Sequence, residues 1–298
     1  MLSIESPQSL REHLHTWRRQ ELSIAFVPTM GNLHQGHLQL VEAAKPRAEK
    51  VVASIFVNPL QFVPGTDFET YPRTLQQDLE QLQSRHVDLV FCPPVAAIYP
   101  EGMNVSAKVV VPGLSDILCG EFRPGHFVGV ATVVAKLFNL VQPDVAVFGE
   151  KDYQQLLVIR RMVDDLCFPV DIIGVETVRE ADGLAMSSRN QYLSDAERKT
   201  AALLSATLMD LVTKVTKRIG HPDAAPQHFH DVEQQALREL QTQGFRPEYV
   251  KVCFADNLAD ADIASGSTRE LRVLAAAWLG KARLIDNLPV NNLPIITR

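Results

Sequence analysis

The chain has 298 residues, 46% of them hydrophobic and 21% charged, with a formal net charge of −6. That length suits one large domain or two ordinary ones, and the composition implies a packed globular core. The acidic balance and the scatter of basic residues argue against a broad nucleic-acid-binding face. The four cysteines, Cys92, Cys119, Cys167 and Cys253, lie far apart with no C-x-x-C pair. That pattern points to free thiols in a reducing compartment rather than to a zinc site or disulfide framework. No basic flank leads into an apolar stretch at the N-terminus, and no apolar run reaches membrane-spanning length, so the expected location is cytoplasmic.

Ile24-Ala25-Phe26-Val27 reads as a buried strand, and 38–44 as the helix that follows it. Residues 51–57 are apolar nearly throughout, as in a strand covered on both faces, and end at Asn58-Pro59. A helix is predicted over 74–84 and a short strand over 87–91, stopped by Pro93-Pro94. A further strand is predicted at 108–111. Then come a helix over 127–141, a strand over 145–149, a helix over 153–166 and a strand over 170–178. Repeated βα units predict an α/β fold with a parallel sheet and helices on both faces. Ligands then bind beyond the carboxyl ends of the strands.

After Gly183 the texture changes. A long helix is predicted over 195–218 with Ser194 as its cap. A turn at Gly220-His221-Pro222 leads to a second helix reaching 243. Strand-like runs follow at 249–254, 271–278 and 282–286. This is a smaller α+β half, and the turn at Asp182-Gly183 puts the boundary near 179–185. The expected domains are 1–178 and 179–298.

Four segments carry polar chemistry. In 28–37, His34 and His37 flank Gly36 at a strand-to-helix junction, where one helical turn puts both rings on one face. The helix start also offers backbone N–H groups and a positive dipole end, which suit a phosphate. In 185–190, Ser187, Ser188 and Arg189 can hydrogen-bond phosphate oxygens, although a linker with a helix cap has the same composition. In 148–155, Gly149 allows close backbone approach, Lys151 offers a compact positive charge and Asp152 an acceptor; a solvated charged turn is the alternative. In 58–62, Pro59 stiffens a turn that aims Asn58 and Gln61. Their amides can bind a hydroxy acid without adding charge, and a plain polar turn is the alternative.

Seven ordered motifs carry a family resemblance: V-P-T-M-G-N-L-H-Q-G-H at 27–37, S-I-F-V-N-P-L-Q-F at 54–62, Y-P-R-T at 71–74, R-P-G-H-F at 123–127, F-G-E-K-D-Y-Q-Q at 148–155, M-S-S-R-N at 186–190 and A-R-L-I-D-N at 282–287. With them the chain resembles the pantothenate synthetase (pantoate–β-alanine ligase) family of the nucleotidylyltransferase superfamily over essentially its whole length. Gln35 stands where many members carry Asp.

The resemblance implies a Rossmann-like ATP- and pantoate-binding domain, a smaller C-terminal α+β lid, and a homodimer. It implies ATP-dependent condensation of pantoate with β-alanine through a pantoyl adenylate, releasing AMP and pyrophosphate, with Mg²⁺ shielding the triphosphate. By the same resemblance the ATP contacts are Met30, Gly31, Asn32, Leu33, His34, Gln35, Gly36 and His37, then Gly149, Glu150, Lys151 and Asp152, then Val178, Met186, Ser187, Ser188 and Arg189. Gln61 and Gln155 are the expected pantoate amides, and His37 the expected proton donor, with His34 and Lys151 beside it at the phosphates. Asp78 offers the metal a carboxylate, although a solvated helix position accounts for it better. Closure of the 183–190 loop is expected to keep water from the adenylate. Rival readings are adenylyl transfer to a phosphorylated alcohol, a tRNA-binding adenylating module and a non-catalytic ATP sensor.

Overall fold

The computed structural model describes residues 1–62, 68–219, 227–263 and 269–290. They divide into two compact units, Met1–Val178 and Arg179–Arg298.

The first unit runs β1 (Leu2–Ile4), α1 (Pro7–Arg19), β2 (Ile24–Thr29), α2 (Gln35–Ala44), β3 (Lys50–Ile55), α3 (Leu75–Ser84), β4 (Leu89–Phe91), α4 (Val95–Ile98), α5 (Cys119–Phe122), α6 (His126–Val141), β5 (Val145–Gly149), α7 (Tyr153–Asp165) and β6 (Asp171–Val175). Its six strands form a parallel sheet in the order β1-β4-β3-β2-β5-β6, a Rossmann-like arrangement. Side chains on β2 alternate between two layers, as the pleat requires. Ala25 and Val27 pack with Leu40, Val41, Val51, Ala53 and Val147. Phe26 faces the other way and meets Phe138 of α6 edge-on, with centroids 6.4 Å apart. Burying a side chain of that size contributes about 1.5–3 kcal/mol.

The structure differs from the sequence reading in several places in this unit. β1, α1 and the single-turn helices α4 and α5 escaped it. β1 has three residues with only Ile4 buried, too few for a periodic signal, whereas α1 did carry one: Ser6 caps it, Pro7 opens it, and Leu10 and Leu14 are buried one turn apart. Conversely, residues 108–111 form no strand. The backbone N–H of Val109 donates to Thr132 Oγ1 on α6 at 2.9 Å, and Val110 is exposed. A β-branched run becomes a strand only where a neighbouring strand accepts its ladder.

The second unit contains α8 (Asp195–Ile219), β7 (Gln227–His228), α9 (His230–Thr242), β8 (Arg246–Phe254), β9 (Asp262–Ile263), β10 (Leu271–Leu279) and β11 (Ala282–Val290). β8, β10 and β11 form an antiparallel sheet in the order β11-β10-β8, and β7 pairs with β9. Leu204, Leu208 and Leu211 of α8 join Val250, Val252, Val273 and Ala275 in its core. Ser194 caps α8 with Glu197 in a reciprocal box: Ser194 N–H donates to Glu197 Oε2 at 2.8 Å, and Glu197 N–H to Ser194 Oγ at 3.4 Å. The turn expected at Gly220-His221-Pro222 lies outside the described residues.

Candidate active site

The strand order fixes where a ligand can enter the first unit. From β2 the chain steps to β3 and β4 on one side, then crosses to β5 and β6 on the other. The connections therefore diverge between β2 and β5, which opens a crevice outside their carboxyl ends. The 30–34 loop follows β2, and a 3-10 turn at Glu150–Asp152 follows β5.

Gly31 (φ +78°) and Asn32 (φ +50°) turn the chain sharply after β2. Side chains beneath them hold that turn. Thr29 Oγ1 donates to Ser54 O at 2.7 Å and accepts from Gly31 N–H at 3.2 Å. The Asp78 carboxylate accepts from the N–H groups of Asn32 (2.9 Å) and Leu33 (2.8 Å) and from Thr74 Oγ1 at 3.2 Å. Asp78 is 1% exposed. It is therefore neither a solvated helix residue nor a carboxylate waiting for a metal, but the internal anion of this loop. Among the described residues, no cluster of three His, Cys, Asp or Glu side chains could hold a metal ion.

His34 caps α2. Its Nδ1 accepts from Gly36 N–H at 3.1 Å, and His37 Nδ1 accepts in turn from His34 N–H at 3.3 Å. The rings lie 4.1 Å apart, tilted by 40°. A backbone N–H can only donate, so both Nδ1 atoms hold lone pairs and both neutral rings carry their proton on Nε2. The N–H groups of Asn32, Leu33, Gly36 and His37 are engaged within the protein, so the loop adds imidazole N–H donors to what remains of the helix start.

Burial pushes His34 down to about 4, with the Lys151 charge adding to the effect and Asp152 opposing it. Burial and the neighbouring His34 push His37 down to about 3. Both rings are neutral near pH 7 in the free protein. His37 thus begins as a hydrogen-bond donor and not as an imidazolium acid. Lys151 lies 3.7 Å from Asp152. Gly149 ends β5, and the Glu150 side chain packs beside Gly174 of β6.

The turn after β3 builds a second cluster. Asn58 is 1% exposed, and its amide has full employment. Oδ1 accepts from Leu60 N–H at 3.3 Å and Tyr99 Oη at 2.8 Å; Nδ2 donates to Gly129 O and to Gln61 Oε1, both at 3.1 Å. With both amide ends occupied within the protein, Asn58 supports the turn. Gln61 Nε2 points at Met30 Sδ, 3.1 Å away. The Gln61 carbonyl receives His126 Nδ1 at 2.7 Å, so His126 carries its proton there and its Nε2 accepts from Arg123 at 3.2 Å. Gly129 lets α6 approach this turn: a Cβ there would lie 2.5 Å from Leu60 O.

On α7, Gln154 ties down the 114–119 segment. Its Nε2 donates to Leu114 O (2.8 Å) and Ile117 O (2.7 Å), and its Oε1 accepts from Cys119 N–H at 3.1 Å. The adjacent Gln155 is half-buried and turned to another face of the helix. Val178 is half-buried at the end of the first unit.

In the second unit, Met186 precedes a 3-10 turn at Ser188–Tyr192. Ser187 Oγ accepts from Arg189 N–H at 3.2 Å, and Asn190 Nδ2 donates to Ala185 O at 3.1 Å. Ser187, Ser188 and Arg189 thus sit on a built turn. A bidentate ion pair anchors the chain just before it: Arg179 meets Asp286 at 2.7 and 2.8 Å, and also donates to Ser205 Oγ at 3.1 Å.

A sequence profile of the pantoate-beta-alanine ligase family matches residues 3–289. The chain belongs to the pantoate–β-alanine ligase family. Pantothenate synthetase from Shewanella amazonensis is 53% identical over 279 residues, covering 94% of this chain and 95% of that one. The crystal structure of pantothenate synthetase from Thermus thermophilus superposes with a TM-score of 0.86 at 45% identity, covering 97% of this chain and 99% of that one. The pantoate-beta-alanine ligase of Francisella tularensis, solved in complex with beta-gamma ATP and beta-alanine, gives 0.79 at 32% identity, covering 97% and 98%.

For a member of this family, the sequence reading overlooked the groups that hold the expected contacts in place. Tyr99 and Gly129 have no role in it, and Gln154, His126 and Arg123 enter it only as parts of motifs. Nothing local marks them, because their partners are distant in sequence. The buried amide beside Gln155 and the tyrosine after a helical turn were the available signals.

Proposed function

We propose that this chain performs the ATP-dependent ligation of pantoate to β-alanine characteristic of its family, with the first half-reaction at the carboxyl ends of β2 and β5. One observation carries the reading: His34 and His37 lock each other as neutral Nε2–H donors at the crevice where the strand order diverges. In that step a pantoate carboxylate oxygen attacks the α-phosphorus of MgATP, the P–O bond to pyrophosphate breaks, and pyrophosphate leaves. Charge grows on phosphoryl oxygens, and fixed donors stabilise it without reorganising. His34, His37 and Lys151 take that role. Met30, Gly31, Asn32, Leu33, Gln35 and Gly36 shape the nucleotide pocket beside them, together with Gly149, Glu150, Asp152 and Val178. The family resemblance also assigns Met186, Ser187, Ser188 and Arg189 to the nucleotide, where hydroxyls and a guanidinium suit phosphate oxygens.

Mg²⁺ enters as part of the nucleotide substrate. The buried carboxylate nearest the histidine loop, Asp78, is already filled by two amides and a hydroxyl, so phosphate and water oxygens serve as the metal's ligands.

Gln61 and Gln155 orient pantoate, with Gln61 backed by Asn58. In the second step the neutral β-alanine amine attacks the adenylate carbonyl carbon, AMP leaves with the electron pair of the acyl–oxygen bond, and the nitrogen gives up one proton to water. The Francisella complex supports ATP and β-alanine as ligands of this fold. The family resemblance also supports a homodimer in the cytoplasm. Among the described residues, no helix is long and apolar enough to cross a membrane.

The test is exchange of labelled pyrophosphate into ATP, with pantoate present and β-alanine absent. Pantoate-dependent exchange is expected. Amide formation without any such exchange contradicts the adenylate route. Replacing pantoate by a phosphorylated alcohol should give no product; a dinucleotide-like product would favour adenylyl transfer instead.

A further inference from the structure

The turn after β3 contains a chain of hydrogen bonds whose direction is fixed by the backbone. Leu60 N–H can only donate and Gly129 C=O can only accept. They select one orientation of Asn58, Oδ1 toward Leu60 and Nδ2 toward Gly129, and the shorter bond from the Tyr99 hydroxyl to Oδ1 holds it there. The second hydrogen of Nδ2 then meets Gln61, which must present Oε1 to it. Gln61 Nε2 is thereby aimed at Met30, whose thioether is a weak acceptor. The donors of Gln61 remain available to a stronger partner, such as a carboxylate or hydroxyl oxygen.

Tyr99 closes the other end. Its hydroxyl donates to Asn58 Oδ1 across 41 residues of sequence. Tyr99 is 3% exposed, and its ring carries Lys136 Nζ 5.2 Å from the centroid. Burial pushes the phenol up, so it remains a donor throughout the working pH range.

We propose that Tyr99 and Asn58 are positioning residues that set the Gln61 amide, so that the hydroxy-acid substrate is met by Nε2–H donors and not by Oε1. The inference rests on Gln61 as a pantoate contact and adds the mechanism of its selectivity. An acceptor oxygen is welcomed at this point; a donor group in its place would face two amide hydrogens.

The experiment is steady-state kinetics on Tyr99→Phe, Asn58→Asp and Gln61→Ala, with KM measured separately for pantoate and ATP. Tyr99→Phe removes one hydroxyl and should raise the pantoate KM about 3- to 10-fold, the usual worth of one hydrogen bond. Asn58→Asp replaces the donor by an acceptor, so Gln61 must turn its Nε2 inward; the pantoate KM should rise about 10- to 100-fold. The ATP KM should stay near wild type in both. Folding is checked by thermal melting, and Tyr99→Phe decides the matter where Asn58→Asp melts early. A rise in pantoate KM in Gln61→Ala alone, with Tyr99→Phe at wild type, overturns the positioning role and leaves Gln61 as a contact. An unchanged pantoate KM in Gln61→Ala overturns both. Equal loss of kcat with neither KM moved marks Tyr99 and Asn58 as structural only and also overturns the proposal.

Discussion

His37 Nδ1 accepts the backbone N–H of His34, 3.3 Å away, while His34 caps the same helix through Gly36. Each imidazole is thus a piece of helix-end architecture that keeps its N–H on Nε2. His37→Ala removes both the helix-end contact and the N–H. Pyrophosphate exchange should fall about 100- to 1,000-fold, as for other fixed transition-state donors. Stability should fall by only about 1 kcal/mol, the worth of a cap. Exchange at near wild-type rate would exclude His37 from the first half-reaction.

The same pair sets an acid limit on the fold. His34 and His37 titrate at about 4 and about 3 when folded, against 6.5 for an unperturbed histidine. The folded values are depressed, so the unfolded chain binds more protons as the pH drops. The stability they secure is complete above about pH 6.5 and is lost as the pH falls toward 4 and then 3. Near pH 5 both groups act on the slope with the same sign. Urea midpoints at pH 7, 6 and 5 should fall more steeply for wild type than for a His34→Asn/His37→Asn double variant. Parallel curves would contradict the assignment.

Asp78→Asn tests the loop beneath the histidines. An amide there turns one donor toward a backbone N–H of Asn32 or Leu33 and leaves that N–H unsatisfied. Unfolding free energy should drop by about 1–3 kcal/mol. The KM for ATP should rise while that for pantoate changes little. A variant with normal stability and normal ATP use would show that the loop holds its shape without this carboxylate.

Gly129→Ala tests how close α6 must come to the turn that bears Gln61. The added Cβ would fall 2.5 Å from Leu60 O and 2.7 Å from Gln61 Cα, so backbone must move. A destabilisation of about 1–3 kcal/mol is expected, as for other overpacked sites. The pantoate KM should rise more than the ATP KM. Equal effects on both substrates would mean that the helix serves the fold alone.

Local chemistry was legible in the sequence, and distant partnership was not. His34 and His37 stood out because strand, loop and helix follow one another directly, and the paired motifs carried the family with them. Asn58 stood out as part of a stiffened turn with amides, but what holds it was not visible. Its partners Tyr99 and Gly129 lie 41 and 71 residues away, and no pattern within the turn announces them. Asp78 looked like surface because its helix is largely polar; only the returning loop buries it. Residues 108–111 have strand composition but no strand beside them, and β1 has a neighbour in β4 but almost no composition to betray it.

The carboxylate of Asp78 has one more effect. It fills, from inside, the kind of two-amide concavity that elsewhere traps sulfate or free phosphate. Stray inorganic anions therefore find that seat taken, and the turn keeps its shape without any bound ion.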